Sequence, residues 1–247
     1  MPSALRVELE SLLRNRKLDR TLTTTVWADV QREIAPTGIE GLDEQLGGGI
    51  ARGHLSEVVG PRSSGRTTVL CRMFQAAADR GEAIALIDSC DRFDPASASA
   101  SGVDLSKLLW VRERGDASRA LKAMNLVLQA GGFGLVAFDI ADVSPVALRQ
   151  FPYTTWMRIA RVIEGSQTAA VVVAAERIAR SPGGVTVALD PAPDVRRAQW
   201  SGTADRARFL RGIELRTRVI GGRLGGNGEH GTSVHHGNTG TRRAICI

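Results

Sequence analysis

Gly60-Pro61-Arg62-Ser63-Ser64-Gly65-Arg66-Thr67-Thr68 decides the fold. The stretch has the spacing of a phosphate-binding loop, Gly-x4-Gly-Lys-Ser/Thr, with one change: arginine stands at 66 where the pattern has lysine. Gly60 and Gly65 let the backbone curl so that successive N–H groups face a polyphosphate. A helix beginning near Gly65 adds the positive end of its dipole, and Thr67 is placed to hold Mg²⁺. All nine residues, Gly60, Pro61, Arg62, Ser63, Ser64, Gly65, Arg66, Thr67 and Thr68, are therefore candidates for binding ATP or ADP with Mg²⁺.

Around this loop the chain alternates short apolar runs with helical patterns. The spacing predicts a strand over Leu55–Val59 leading into the loop and a helix over 67–80. Strands at 83–88 and Leu135–Asp139 and an apolar strand at 169–175 alternate with helices at Ala117–Ala130 and 153–164. This order and the apolar strands predict an α/β fold with a mainly parallel sheet and helices on both faces. The stretches 184–189 and Phe209–Ile220 alternate polar with apolar residues, which suits antiparallel edge strands at the C-terminal side.

Three regions are expected. Residues 1–35 read as an amphipathic helix (Leu5, Val7, Leu9, Leu12, Leu13) and a polar connector, with the helix packing either on its own core or on a partner. Residues 36–220 form the nucleotide-binding core. Residues 221–247 hold eight glycines and little apolar pattern, so this tail is expected to stay disordered. With 247 residues, 43% of them apolar, the chain builds one large core. No run of about 18 apolar residues and no secretory pattern is present, so a cytoplasmic, membrane-free protein is expected. Cys71, Cys90 and Cys246 have no metal-site spacing and read as reduced thiols. His54, His230, His235 and His236 do not form a site either. The formal charge of +6 permits contact with nucleic acid without requiring it, and Tyr153 is the sole tyrosine.

Two strand-end carboxylates stand out. Asp139 closes the run Leu135-Val136-Ala137-Phe138, the position that orients Mg²⁺ beside bound phosphates. Asp88 closes Ile84-Ala85-Leu86-Ile87 at the same sheet edge, where parallel sheets bind ligands, and reads equally well as a turn or cap. Asp94-Pro95 follows in a loop that reaches toward a nucleotide base.

Several segments together carry a family resemblance. Thr37-Gly38-Ile39-Glu40-Gly41-Leu42-Asp43, Leu46-Gly47-Gly48-Gly49-Ile50 and Arg52-Gly53-His54-Leu55 precede the loop, and Ile87-Asp88, Asp94-Pro95 and Gly102-Val103-Asp104-Leu105 follow it. They resemble the ATPase core of RecA-type recombinases, strongly from about Thr37 to Leu109 and more coarsely to about Ile220. The segment from Leu42-Asp43 to Gly47-Gly48-Gly49-Ile50 alone also occurs in KaiC- and RadA-like ATPases. The resemblance implies a RecA-like core and ATP with Mg²⁺ as ligand.

The departures from that family are concentrated at the implied site. Arg66 keeps the charge of the loop lysine but is larger and planar. The family's catalytic glutamate falls at Cys90, leaving Asp91 as a weak substitute base only if re-aimed. The family's adenine-stacking aromatic falls at Ser97, and its γ-phosphate-sensing glutamine at about Glu176. The segment after Asp139 is short for the first recombinase DNA loop. Arg180, in the counterpart of the second, is a candidate DNA contact, as are Arg206, Arg208, Arg216 and Arg218, whose two-residue spacing puts pairs on one strand face. That face reads also as an ordinary solvated edge.

The chain is thus read as a shortened, non-recombinase RecA homologue of DNA repair and the damage (SOS) response, similar to the ImuA group. That resemblance implies an accessory factor in translesion synthesis that binds repair proteins (RecA or translesion polymerase components), with single-stranded DNA as a further ligand. The alternative is a weak DNA-dependent ATPase of the RecA/RadA type.

Overall fold

The computed structural model describes residues 33–179, 183–189, 198–201, 209–221 and 229–235, with 198–201, 209–215 and 229–235 described as backbone. The helix expected near the N-terminus lies outside the described residues. In chain order the elements are β1 (Ile34–Ala35), α1 (Glu40–Leu46), β2 (Ile50–Ala51), β3 (Leu55–Val59), α2 (Arg66–Asp79) and β4 (Ile84–Asp88). Then come α3 (Pro95–Ala100), β5 (Leu108–Arg112), α4 (Ala117–Ala130), β6 (Leu135–Asp139), α5 (Pro145–Leu148), α6 (Tyr153–Ile163) and β7 (Ala169–Ala174). The last strands are β8 (Thr186–Leu189), β9 (Ala198–Ser201), β10 (Phe209–Ile220) and β11 (Glu229–His235).

β1 and β2 form a small antiparallel ribbon. The remaining strands form one sheet in the order β11-β10-β8-β3-β7-β6-β4-β5, with β9 paired to β10. From β8 to β5 the strands are parallel, and β10 joins β8 and β11 antiparallel.

Side-chain alternation explains why both faces are covered. On β4, Ile84 and Leu86 pack with Val69, Leu70, Met73 and Phe74 of α2, while Ala85 and Ile87 pack with Met124 of α4 and Trp156 and Ile159 of α6. β6 and β7 divide the same way, Leu135, Ala137, Val171 and Val173 to one side and Val136, Phe138, Ala170 and Val172 to the other. Strands buried on both faces need apolar residues at every position, which is why they read as continuous runs.

Local hydrogen bonds set the helix starts. The Asp43 carboxylate accepts from Thr37 N (2.7 Å), Thr37 Oγ1 (2.7 Å) and Gly38 N (3.1 Å), so the Thr-Gly…Leu-Asp segment holds the entry to α1. Asp116 caps α4 through Arg119 N. At the end of the sheet away from the loop, Arg52 donates to Gly134 O (3.2 Å), Gln167 O (2.8 Å) and Glu82, joining the approaches to β6, β7 and β4.

Glu229–His235 corrects the expectation that the whole tail lacks order: this segment is β11, paired with β10 from Gly212 to Arg218. The twelve-residue β10 extends past its short partner β8. Its outer row of backbone groups can satisfy a ladder whatever the side chains, so a strand forms without an apolar pattern.

Candidate phosphate site

β3 delivers the loop to the C-terminal edge of the parallel strands, where ligands of such sheets bind. Gly60 N donates to Ala174 O at 3.3 Å, tying the loop to the end of β7. A Cβ on Gly60 would lie 2.5 Å from Ser64 Oγ and 2.9 Å from Leu189 O, so the loop closes only around glycine. Ser63 (φ 60°) and Gly65 (φ 96°) both take the left-handed conformation, which turns the chain so that α2 begins at Arg66. No side chain caps this helix, and its first turn holds no acidic residue. The positive end of α2 is left for an anion.

Two side-chain donors point the same way. Ser64 is 3% exposed, and its Oγ is buried without a hydrogen-bond partner, as is Arg66 Nη1. Buried polar atoms normally find partners, and unmatched donors in a curled loop suit a ligand rich in acceptor oxygens. Thr67 is exposed and Thr68 half-buried on the same first turn.

Three carboxylates surround the loop, and the chain's own donors engage each. Asp88 and Asp139 are register neighbours on β4 and β6. Asp88 is buried and accepts from Cys90 N (3.3 Å) and Phe93 N (2.8 Å). Asp139 Oδ1 accepts from Ala141 N at 3.0 Å. Burial is the main cause that pushes the Asp139 carboxyl up to about 6, with the charges of Asp88 and Asp142 adding to it and the Arg66 guanidinium and the Ala141 bond opposing it. Asp142 accepts from Arg62 Nε (3.2 Å) and Nη2 (2.8 Å) and lies 3.9 Å from Arg92 Nε. Asp142 was not among the residues singled out from sequence, because its partners lie about 80 and 50 positions upstream and no local pattern marks it.

The residues at the expected catalytic positions are placed differently. Cys90 follows β4, and burial, then Asp142, Asp139 and Asp88, push its thiol up. It stays protonated at neutral pH and is no base. Asp91 takes a left-handed turn (φ 56°) and accepts from Arg112 Nε (2.7 Å) and Nη2 (2.9 Å) on edge strand β5. The Arg112 hydrogen bond holds the Asp91 carboxyl below its usual range, and the same guanidinium stacks 4.4 Å over the Trp110 ring. Asp94 caps α3, its two oxygens accepting from Ala96 N and Ser97 N. Ser97 is half-buried on α3. Glu176 is exposed two residues past β7, beside the strand end that binds Gly60.

Sequence reading passed over Glu57, an acidic residue inside β3. It is 2% exposed and accepts from Ile178 N (2.8 Å), Ala179 N (2.7 Å) and Thr186 Oγ1 (3.0 Å). It fixes the segment that follows β7 and thereby the place of Glu176. The signal was a lone carboxylate inside a short strand buried at every position. Of the candidate DNA contacts, Arg216 and Arg218 are exposed on one face of β10 with buried Thr217 between them. Arg180, Arg206 and Arg208 lie outside the described residues.

The loop therefore fits an oligophosphate, while a divalent cation is poorly served. Among the described residues no group of three or more His, Cys, Asp or Glu is arranged to hold a metal ion. Such a group is not obligatory for Mg²⁺, which takes most of its ligands from water and phosphate. The Arg66 guanidinium already acts on the Asp139 carboxyl with the positive charge that a metal would bring.

A model of the RecA N-terminal domain matches residues 20–148, more than half of the chain. Protein RecA of Symbiobacterium thermophilum is 37% identical over 117 residues, which cover 47% of this chain and 33% of that protein. Protein RecA of Lactobacillus acidophilus is 33% identical over 147 residues, 59% of this chain and 40% of the relative. The chain thus spans well under half the length of these relatives. The solved RadB recombinase shares the fold, with a TM-score of 0.59 at 16% identity, covering 82% of this chain and 97% of that one. No helix among the described residues is long and apolar enough to cross a membrane.

Proposed function

This chain belongs to the RecA N-terminal domain family, and from that premise we propose that it is an accessory protein of DNA repair that binds a nucleotide without turning it over efficiently. The observation that carries this reading is the end of β4. On the family resemblance, Cys90 stands where the catalytic carboxylate is expected, and burial and the nearby aspartates push its thiol up. The neighbouring acid, Asp91, is drawn away by a bidentate ion pair with Arg112.

A general base must reach the water it activates and be free to take its proton. Neither residue meets that requirement. The backbone of Gly60–Thr68, with Ser64 and Arg66, would hold the phosphates. When bound, the nucleotide would supply a charged, ordered surface at the sheet edge. Binding alone suffices for a switch that presents this edge to a partner.

In this reading the partners are repair proteins, RecA itself or components of translesion polymerases, as in the ImuA group, with single-stranded DNA as a further ligand through Arg216 and Arg218. The test joins two measurements. With ATP, Mg²⁺ and single-stranded DNA, phosphate release stays at the level of a protein-free control. Affinity capture from DNA-damaged cells recovers a repair or replication protein. DNA-stimulated release abolished by Asp139→Ala would instead establish the weak DNA-dependent ATPase, and capture of no such protein would remove the accessory role.

A further inference from the structure

We infer that this loop binds the oligophosphate of a nucleotide without a divalent cation, the Arg66 guanidinium and its neighbouring arginines supplying the positive charge that Mg²⁺ would bring. The inference rests on reading Gly60–Thr68 as a phosphate site and goes further by naming the ionic form of the ligand.

The charge balance at the sheet edge is the first support. Arg62 and Arg92 both lie against Asp142, and the charge of Arg66 acts on Asp139. Asp139, the one carboxylate at the strand end where a metal would be oriented, has the Arg66 charge acting on it and its Oδ1 held by Ala141 N. Asp142 is held by Arg62 and lies beside Arg92, and Asp88 by two backbone N–H groups. Among the described residues, each of these three carboxylates already accepts a hydrogen bond from the chain itself.

The donors form the second support. Ser64 Oγ and Arg66 Nη1 are buried without partners, and Ser64 lies against the hollow left by the missing side chain of Gly60. Each lacks an acceptor, which a phosphate oxygen provides and a metal does not. A guanidinium spreads its charge over a planar fork and can bridge two oxygens at once, whereas a lysine ammonium is a point charge that leaves the adjoining space to hydrated Mg²⁺. Arginine at 66 thus does part of the work of both lysine and metal.

The exposed Arg62–Asp142 pair adds a competitor. Asp142 occupies a guanidinium on the loop itself, at 80% side-chain exposure of Arg62. An incoming phosphate oxygen replaces the Asp142 carboxylate on Arg62, so Asp142 lowers affinity for the ligand it resembles.

The test is calorimetric titration of the full chain with sodium ATP, once in EDTA and once with excess Mg²⁺. The expected Kd values agree within about threefold, a difference smaller than the removal of one strong charge-assisted contact produces. Asp142→Asn tightens ATP binding about two- to fivefold in EDTA, the range expected on releasing an exposed ion pair. Arg66→Lys, checked for native circular dichroism, makes binding depend on Mg²⁺. Weakening of about tenfold or more in EDTA for the unaltered chain overturns the inference and leaves the phosphate site standing. Binding in neither buffer overturns both. Should Arg66→Lys not fold, an Asp142→Asn affinity equal to or weaker than that of the unaltered chain overturns the competitor role.

Discussion

Replacing Asp139 with asparagine should stabilise the protein at neutral pH and do little in mild acid. Its carboxyl stands at about 6 in the fold against 3.8 ordinarily. At about 1.4 kcal/mol per pH unit, holding it ionised costs about 3 kcal/mol as an upper limit. The direction follows from proton binding. Below its ordinary value the group is protonated in folded and unfolded chains alike, and no cost arises. Between there and about 6 the folded chain keeps a proton that the unfolded chain releases, so stability falls as pH rises through this window. Above it the cost is complete. Asparagine keeps an oxygen for Ala141 N and stands in for the uncharged carboxyl; the lost attraction to Arg66 is already contained in the net shift. The net expectation, discounted from that upper limit, is a gain of about 1–2 kcal/mol at about pH 7.5, shrinking to about a third of that near about pH 4.5. Urea denaturation followed by circular dichroism at both pH values measures it. A variant no more stable than the original at the higher pH, or a gain independent of pH, would refute the claim that burial dominates this carboxyl.

Other outcomes follow from named contacts. Glu57→Ala leaves Ile178 N, Ala179 N and Thr186 Oγ1 without their acceptor; it should cost about 2–4 kcal/mol and speed proteolytic cleavage between β7 and β8, which unchanged cleavage there would contradict. Cys90 should react with iodoacetamide at mildly alkaline pH several times more slowly in the folded chain than in urea, since its raised thiol leaves little thiolate; peptide mass spectrometry reads the site, and equal rates would show that burial and the three aspartates do not act on it. Cys90→Glu combined with Arg66→Lys should raise ATP hydrolysis with Mg²⁺ by about tenfold to a hundredfold over either single change. A double variant no more active than the original would contradict the reading that these two residues limit hydrolysis.

The parts of the fold legible in the sequence were those whose physics is local. The loop glycines, the apolar runs of β3, β4, β6 and β7 and the periodicity of α2, α4 and α6 each carry their own signal within a dozen residues. β5 was missed because an edge strand is half solvated: Leu109 is exposed while Trp110 is half-buried, so Leu108–Arg112 has neither a continuous apolar run nor clean alternation. β11 was missed because its partner supplies the ladder and its own side chains say nothing. At the site, Cys90 and Arg66 could be read directly as departures from the residue types of the family pattern. That Asp91 is unavailable could not be read, since it depends on the register that sets Asp88 beside Arg112 across β4 and β5. Likewise Asp94 offered itself as a ligand, whereas its two oxygens cap α3. Short polar side chains before a proline serve both purposes, and only the backbone geometry distinguishes them.

The central claim is that the site holds a nucleotide but lacks a base to hydrolyse it. Its most direct test is a single-turnover reaction, with protein in excess over radiolabelled ATP, in the presence of Mg²⁺ and single-stranded DNA. The account predicts that ATP is retained by the protein and recovered intact after hours. Conversion of the bound ATP to ADP within minutes, lost in Asp139→Ala, would contradict it.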